Sequence, residues 1–266
     1  MNDRLVSSEV KRARERLREL GAWYGARPPG TPSDELDALV AADRELERSA
    51  RTARIDLVAE VERRAGPFEG RLLTALLDVP RERFVRATEI GESAADTPLL
   101  LDDDGLATIS APHAYLLSFR ALGLSPGERI AELGTGSGYG AALASHVVTP
   151  SGSVFSVEID PHLARRASQL LVPYANVRAA AGGASDLLPA WRGYPRVTVT
   201  FAVEAVPSAW LGALPEGGRM VVPVGRGDGQ RLLRVDREGG KLTWSDHGAV
   251  RYVPNRGGEA TKAHAF

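Results

Sequence analysis

The spacing of apolar residues predicts two helices at the start of the chain. Residues 8–20 carry a thin apolar stripe among charged positions. Ser7 or Ser8 can cap this helix, and Gly21 can end it. A longer, charged helix is expected over residues 32–64. Its apolar residues recur every three or four positions: Leu36, Leu39, Leu46, Ala50, Ala53 and Leu57. The pattern favours an amphipathic arm folded on the rest of the protein; a dimer contact and a substrate-recognition element are the alternatives.

Beyond residue 66, helix-like and strand-like stretches alternate. Apolar residues at helical spacing predict helices over residues 70–78, 114–122, 141–147, 161–171 and 207–214. Short apolar runs predict strands within residues 130–133, 154–157, 176–181, 194–202 and 217–225. A hairpin (230–235 and 241–244), a last strand (250–253) and a mobile tail from Asn255 are expected to follow. This alternation predicts an α/β protein.

Length and charge narrow the class of protein further. With 266 residues, the chain is long enough for one large α/β domain and an appendage. Its formal net charge of −1 gives no broad attraction to nucleic acid or to a membrane. The absence of cysteine excludes disulfides and a thiol nucleophile, and the five histidines show no metal-ligand spacing. We therefore expect no metal and no nucleic-acid partner. Because the N-terminus has no apolar run, we also expect no membrane span and a cytoplasmic protein.

Three glycines spaced by two positions carry the strongest chemical signal. Gly134, Gly136 and Gly138 follow the predicted strand at 130–133 and precede the predicted helix at 141–147. Glycine permits positive φ angles and lets a ligand approach the bare backbone. The N-terminus of the helix that follows offers free N–H groups. A strand, a glycine turn and a helix in this order are typical of a nucleotide-binding unit.

Two acidic residues indicate which nucleotide this unit binds. Glu132 lies two positions before the first glycine, where a carboxylate suits a cation better than a diphosphate. Glu158 ends the next predicted strand, about twenty residues on, at the spacing of an acid that binds ribose hydroxyls. S-adenosylmethionine carries a sulfonium and an ammonium but no phosphate, and it suits this set. A nicotinamide cofactor and a structural turn without a ligand are the alternatives.

These motifs resemble those of a known enzyme family. The run at residues 131–139 resembles motif I of class I S-adenosylmethionine-dependent methyltransferases. Further segments resemble signatures of one branch, the protein-L-isoaspartate O-methyltransferases, in the same order: 79–85, 108–113, 176–177, 215–219, 222–225 and 250–254. The resemblance covers about residues 67–256. It implies a Rossmann-like class I methyltransferase fold, with a mostly parallel sheet, helices on both faces and an antiparallel C-terminal hairpin. The methyltransferase domain is then expected at 67–266, after an N-terminal helical extension at 1–66.

The resemblance also implies which residues form the site. The cofactor is expected to be S-adenosyl-L-methionine, with S-adenosyl-L-homocysteine as its product. Residues expected to bind it are Glu132, Gly134, Thr135, Gly136, Ser137, Gly138, Tyr139, Glu158, Ile159, Gly182, Gly183 and Ala184. Residues expected at the substrate are Thr108, Ile109, Ser110, His113, Thr200, Phe201, Ala202 and Val224. Ser110 is the expected catalytic residue, although a serine here could simply cap the helix that follows.

The implied activity is methylation of isoaspartate, or of aspartate, in peptides and proteins, to an ester that can close to a succinimide. Several positions depart from the family pattern: the arm at 1–66, Ala107 for a usual glutamine, Gly183 for a usual aspartate at the adenine, and Pro195. They favour an alternative, a dedicated aspartate methyltransferase that forms an aspartimide in a ribosomally made peptide. A cofactor-free binding module of the same fold is a further alternative. An oligomer could form through the N-terminal helices.

Overall fold

The computed structural model describes residues 2–25 and 36–257. Its α-helices are α1 (Asn2–Gly25), α2 (Leu36–Ala65), α3 (Gly70–Asp78), α4 (Pro112–Leu122), α5 (Tyr139–Val148), α6 (Pro161–Leu170), α7 (Leu188–Trp191) and α8 (Ser208–Ala213). Its strands are β1 (Leu99–Leu100), β2 (Thr108–Ile109), β3 (Arg129–Leu133), β4 (Ser153–Glu158), β5 (Val177–Ala181), β6 (Arg196–Val199), β7 (Arg219–Val224), β8 (Arg231–Glu238) and β9 (Lys241–Ala249). Short 3₁₀ helices lie at Arg81–Arg83, Ala87–Glu92 and Gly227–Gly229.

A seven-stranded sheet in the order β5-β4-β3-β6-β7-β8-β9 forms the centre of the fold. The strands β3 to β7 pair in parallel, and β8 and β9 add an antiparallel hairpin at one edge. Successive residues of β3 alternate between two apolar cores: Ile130 packs in one, Ala131 and Leu133 in the other. Since parallel sheets are covered on both faces, their strands are nearly continuous apolar runs. The predicted α/β fold with its C-terminal hairpin is confirmed.

The order of the strands determines where a ligand can bind. The chain passes from β3 to β4 and β5 on one side, then crosses back to β6 on the other side of β3. Such a reversal opens a crevice at the carboxyl ends of β3 and β6, where ligands bind in doubly wound sheets. The glycine turn at 134–138 follows β3 directly and therefore lies in this crevice.

The first helix is longer than its capping residues predicted. Because α1 runs from Asn2 to Gly25, Ser7 and Ser8 lie inside the helix and Gly21 does not end it, so these predicted bounds are wrong. The physical reason is tertiary packing, which stabilises a helix more than its local signals do. Leu17 is fully buried, and α1 packs against both α2 and the 3₁₀ helix Ala87–Glu92. The predicted start of the second helix lies outside the described residues.

The N-terminal arm, α1 with α2, shares one hydrophobic core with the rest of the protein. Buried arm residues in this core are Ala13, Leu17, Leu46, Ala50, Ala53, Leu57 and Val61. They pack in one cluster with residues of α3, α4 and α5 such as Leu72, Leu116 and Leu143. The arm is thus folded on the sheet domain, as its pattern favoured. A domain boundary at residue 66 and a role in oligomerisation stay predictions.

The C-terminal segment differs most from expectation. Residues 250–253 were predicted to be a strand, but the last strand is β9 and ends at Ala249. The chain instead crosses the carboxyl edge of the sheet, where Ala202 N–H donates to Val253 O (2.8 Å) and Asn255 N–H donates to Ala202 O (2.9 Å). These bonds tie residues 253 and 255 to the strand end. The predicted tail beyond Gly257 lies outside the described residues, and its mobility stays a prediction.

Among residues 2–25 and 36–257, no helix is both long and apolar enough to pass through a bilayer. Nor does this part of the chain gather three acidic, histidine or cysteine side chains in a way that could hold a metal ion.

Candidate active site

A cavity of about 310 Å³ lies at the carboxyl ends of β3, β4 and β6. Six segments form its wall: 106–108 and Ser110 with Tyr115, 134–137, 157–159 with Leu163, 182–186, 200–201 with Trp210, and 253–257. The lining includes Thr108, Ser110, Gly134, Thr135, Gly136, Ser137, Glu158, Ile159, Gly182, Gly183, Ala184, Thr200 and Phe201 from the predicted site. Predicted cofactor and substrate residues therefore meet in one cavity.

The glycine turn follows closely the shape that the sequence pattern requires. Gly134 has φ +101°, and a β-carbon there would collide with the Thr200 hydroxyl and the Phe201 ring. Gly136 has φ +53° and presents its N–H to the Glu158 Oε2 atom at 2.7 Å. Side chains at these two positions would be strained or would fill the wall of the cavity. The turn is therefore a cradle that only bare backbone can form.

Glu158 sits at the centre of this cradle. Its side chain is 7% exposed, and its two oxygens accept N–H groups from Gly136 (2.7 Å) and Asp160 (3.0 Å). A carboxylate can accept about four hydrogen bonds, so acceptor positions remain for a ligand in the cavity. Ile159 follows, 41% exposed, and lines the cavity with an apolar surface. This pair fits a ribose bearing two hydroxyls next to a flat apolar base.

Glu132 lies behind the turn rather than in the cavity wall. It is 2% exposed, and Ser156 donates its hydroxyl proton to Glu132 Oε2 at 2.6 Å. The Ser156 hydroxyl in turn hydrogen bonds to Thr135 at 2.6 Å, and Thr135 lines the cavity. Burial raises the pKa of Glu132 to about 8, with the charge of Glu158 acting in the same direction and the Ser156 bond against it. Glu132 thus reaches the cavity through two hydroxyls.

This raised pKa predicts how stability depends on pH. An unfolded glutamate ionises near its ordinary pKa of 4.5, whereas folded Glu132 holds its proton up to about 8. The stabilisation is complete below the unfolded pKa and is lost as pH rises through this window. We expect the free energy of unfolding of the cofactor-free protein to fall by up to about 1.4 kcal/mol per pH unit. Urea unfolding at several pH values should show this slope in the wild type but not in Glu132→Gln. Glu47→Gln, at an exposed position, is the control and should keep the wild-type slope. Equal slopes in all three proteins would show that Glu132 is not the source of the pH dependence.

The turn after β5 places the carboxylate of Asp186 beside Gly183. Gly183 stands where the resembling family usually has aspartate. A β-carbon on Gly183 would lie 2.6 Å from Oδ2 of Asp186, so the Asp186 carboxylate occupies the adjacent space. Asp186 also lines the cavity. Trp191 holds this turn by donating its Nε1–H to Ala184 O at 2.7 Å. A carboxylate is therefore present at this end of the cavity, supplied three residues later in the chain.

Ser110 does not cap the helix that follows it. The residue at the cap position of α4 is Ala111, with Pro112 in the first turn, and no side chain caps the helix. Ser110 lies on the loop between β2 and α4 and lines the cavity together with Thr108. The alternative interpretation of Ser110 as a helix cap is therefore wrong.

Seven predicted site residues lie outside the lining of this cavity. They are Ile109, His113, Glu132, Gly138, Tyr139, Ala202 and Val224. Ile109 is buried, and Tyr139 is fully buried against Phe84 and Tyr115. His113 bonds through Nδ1 to the buried carboxylate of Asp96 at 2.9 Å. Their positions make them supports of the site in the described structure, and a direct role in binding stays a prediction.

Thr200 and Phe201, which follow β6, contribute to the cavity in different ways. The Thr200 hydroxyl donates to Gly134 O at 2.6 Å, so its proton braces the glycine turn. Phe201 packs edge-on against Trp210, with ring centroids 6.2 Å apart, and closes one side of the cavity. Ala202 lies in the wall of a second, open cavity of about 1020 Å³. The two cavities are adjacent, because Thr108 and residues 253–255 line both.

Several lining residues were missed from the sequence. Tyr115, Leu163 and Trp210 face the cavity from helices, and helix periodicity assigns such residues to the core by default. Residues 253–257 follow the β8–β9 hairpin, and although the signature at 250–254 covers the first two of them, it was not assigned to the site. Arg256 lies there and pairs with Asp102 (3.0 Å) and Asp160 (3.4 Å). Asp102 therefore forms an ion pair. From the sequence, the three adjacent acids at 102–104 would be expected to form only a solvent-exposed turn.

Comparisons with known proteins agree with this geometry. A family model described as protein-L-isoaspartate(D-aspartate) O-methyltransferase matches residues 54–260. A protein-L-isoaspartate O-methyltransferase 2 from Archaeoglobus fulgidus is 38% identical over 186 residues, covering 69% of this chain and 84% of that protein. A protein-L-isoaspartate O-methyltransferase from Anaeromyxobacter dehalogenans is 40% identical over 194 residues, covering 71% and 90%. The family match begins inside α2, earlier than the motifs alone indicated.

Solved structures give the same result for the fold. A protein-L-isoaspartate O-methyltransferase superposes with a TM-score of 0.69 and 28% identity, covering 77% of this chain and 66% of that one. A Plasmodium falciparum protein of this kind, in complex with S-adenosyl-L-homocysteine, gives a TM-score of 0.66 at 20% identity, covering 75% and 96%. Because its sequence identity is only 20%, the second structure supports the fold alone. The chain therefore belongs to the protein-L-isoaspartate (D-aspartate) O-methyltransferase family and is a methyltransferase of the class I fold.

Proposed function

We propose that this protein transfers a methyl group from S-adenosylmethionine to the free α-carboxylate of isoaspartate in peptides and proteins. The observation that carries the proposal is that Glu158 and Ser110 line the same cavity. One is suited to the ribose of the cofactor and the other to an oxygen of the acceptor. Family membership supports the same activity.

The residues present suit this cofactor. Glu158 would hold the ribose hydroxyls, Ile159 would cover the base, and Asp186 would accept a hydrogen bond from the adenine amino group. The bare backbone of residues 134–136 leaves room for the amino-acid end. When bound, the cofactor supplies an electrophilic methyl group on a sulfonium. The Glu132–Ser156–Thr135 hydrogen-bond chain would support the turn from behind.

The protein's own task is to position and desolvate the acceptor. A carboxyl group is already ionised at neutral pH, so no general base is required. The Ser110 hydroxyl would donate a hydrogen bond to one carboxylate oxygen and leave the other free to attack. Leu106 and Phe201 line the same cavity and would exclude water from it. Orientation and desolvation of this kind can contribute most of the rate enhancement.

The second cavity supports a peptide rather than a small acid as substrate. It is open, is lined by residues 203–205, 225–227 and 251–255, and adjoins the first cavity at Thr108. Chain flanking an acceptor held at Ser110 would lie in this groove. Once formed, a methyl ester of isoaspartate can close to a succinimide by attack of the neighbouring backbone nitrogen, with loss of methanol.

Methyl transfer to matched peptides tests the proposal. Labelled S-adenosylmethionine is supplied with two short peptides that differ only in isoaspartate or aspartate at one position. We expect transfer to the isoaspartate peptide, and a reduction in kcat of roughly 10- to 100-fold in Ser110→Ala because a hydrogen bond to a charged group is lost. Transfer to the aspartate peptide alone, or to neither peptide with cofactor binding intact, would contradict it. Transfer to neither peptide, with cofactor binding intact, would point to the alternative, a dedicated aspartate methyltransferase of a ribosomal peptide. Failure to bind the cofactor would point to a binding module.

A further inference from the structure

Arg81 is a buried cation that donates hydrogen bonds to backbone carbonyls and lies 6.0 Å from the centre of the Tyr139 ring. Its side chain has no exposed surface, and burial lowers the pKa of its guanidinium. In the described part of the chain, the hydrogen bonds of its two Nη atoms all go to carbonyl oxygens. These belong to Ser93 (3.0 Å), Ala95 (3.0 Å), Thr97 (2.7 Å) and Ser110 (3.2 Å). One planar group thus ties the loop at 93–97 to the backbone of Ser110.

The same loop is tied to the chain just beyond Ser110. Asp96 is buried, and it accepts the backbone N–H of His113 at 3.0 Å and the His113 ring nitrogen at 2.9 Å. His113 lies in the first turn of α4, directly after the loop that carries Ser110. Arg81 therefore fixes the carbonyl of Ser110, and the loop that it organises fixes the start of the next helix.

Tyr115 holds the other polar group of the Ser110 backbone. The Ser110 N–H donates to the Tyr115 hydroxyl oxygen at 3.2 Å. The Tyr115 ring is itself fixed, because it packs edge-on against Tyr139 with ring centroids 5.5 Å apart and an angle of 83°. Burial and the charge of Glu132 raise the pKa of the Tyr115 hydroxyl, so it stays neutral.

We propose that Arg81 and Tyr115 are positioning residues that hold the Ser110 peptide unit from both sides and so aim its hydroxyl into the cavity. The inference rests on the proposed function of Ser110 and extends it to two side chains with no assigned role in the reaction. A serine side chain has a single rotatable bond before its oxygen, so its reach is set by the backbone that carries it. A displacement of about 1 Å at a reacting group can lower the rate about 100-fold.

Tyr115→Phe is the first variant, because it keeps the ring packing and removes only the hydroxyl. We expect kcat on the isoaspartate peptide to fall about 10- to 100-fold, with the affinity for S-adenosylhomocysteine unchanged. Tyr174→Phe is the matched control, since Tyr174 is also raised in pKa by burial and packs on Phe84 but lies outside the cavity lining. This control should keep the wild-type kcat. A wild-type kcat in Tyr115→Phe would overturn the proposal.

Arg81→Lys and Arg81→Met test the second contact. Lysine keeps the charge but has one nitrogen, which cannot reach all four carbonyls, so we expect partial activity in the first variant and less in the second. If Arg81→Met does not fold, the test uses Arg81→Lys alone. Its kcat is then compared with its melting temperature. Losses that follow the melting temperature alone, with kcat of the folded fraction unchanged, would make Arg81 merely structural.

Hydrogen exchange gives a readout that does not need turnover. Exchange at the Ser110 amide should rise at least about tenfold in Tyr115→Phe and stay unchanged in Tyr174→Phe. Unchanged exchange in both would overturn the clamp even in an active enzyme. An inactive wild type with faster exchange in Tyr115→Phe would refute the proposed function of the site and leave the clamp standing.

Discussion

Glu158→Gln is expected to weaken binding of S-adenosylhomocysteine by about 100-fold or more while the protein stays folded. Each hydrogen bond from a ribose hydroxyl to a carboxylate is worth about 1.5–3 kcal/mol, and two such bonds are expected here. The amide keeps the shape of the side chain, but its NH₂ group would face one of the two backbone donors, Gly136 N–H or Asp160 N–H. Titration calorimetry with S-adenosylhomocysteine measures the loss directly.

Glu216→Gln is a matched control for this variant. Glu216 also accepts two backbone N–H groups, from Gly239 and Gly240, but on an exposed turn distant in the fold from the cavity lining. Its substitution should leave the affinity unchanged. Asp186→Asn is expected to cost about tenfold, since it weakens one charged hydrogen bond rather than two. If Glu158→Gln binds as tightly as Glu216→Gln, the ribose does not lie at Glu158.

The parts of the site that sequence could predict are those encoded by neighbouring residues. The turn at 134–136 and the acid Glu158 each follow a strand whose apolar run is plain, and parallel strands bring their carboxyl ends to one edge. The fold class follows from the same alternation. Glycine spacing predicts backbone shape well because the steric reason is local: Gly134 has no room for a β-carbon.

Side-chain direction is what the sequence could not provide. Glu132 belongs to the motif, yet strand alternation turns it toward Ser156 and away from the cavity wall. His113 lies three residues after Ser110, yet it turns toward the buried Asp96. The opposite case is Asp186, which no motif marks and whose carboxylate lies next to Gly183 at the cavity. The sequence suggests Asp186 as a replacement for the usual aspartate, but only the distance shows that its carboxylate lies there.

The sequence also could not predict which distant segments of the chain complete the cavities. Residues 253–257 complete both cavities only because the β8–β9 hairpin returns the chain to the strand end at Ala202. Expecting a tail from Asn255 followed the general rule for chain termini, whereas residues 253–256 make backbone hydrogen bonds and the Arg256 ion pairs. The same holds for α1, where packing against residues 87–92 extends the helix past its local signals.

Arg54→Met is expected to lower the free energy of unfolding by about 3–5 kcal/mol, because it leaves Glu82 as a buried charge without its partner. Arg54 lies in α2 and Glu82 in the 3₁₀ helix Arg81–Arg83, and their side chains are 4% and 3% exposed. Arg54 Nη1 lies 2.6 Å from both carboxylate oxygens, and Nε donates to Leu77 O at 2.9 Å. Urea unfolding at neutral pH measures the loss.

Arg51→Met separates burial of the ion pair from loss of an arginine on the same helix. Arg51 lies one turn before Arg54, is 61% exposed and pairs with Asp78 at 3.8 Å, so its loss should cost less than about 1 kcal/mol. Arg54→Met with Glu82→Leu should recover much of the stability, since a well-packed apolar pair can replace a buried ion pair. Equal stability of the two single variants would mean that Glu82 escapes to water when Arg54 is removed. In that case α2 would be a loosely attached arm, whereas the expected result makes it part of the core that supports Arg81 and, through Arg81, Ser110.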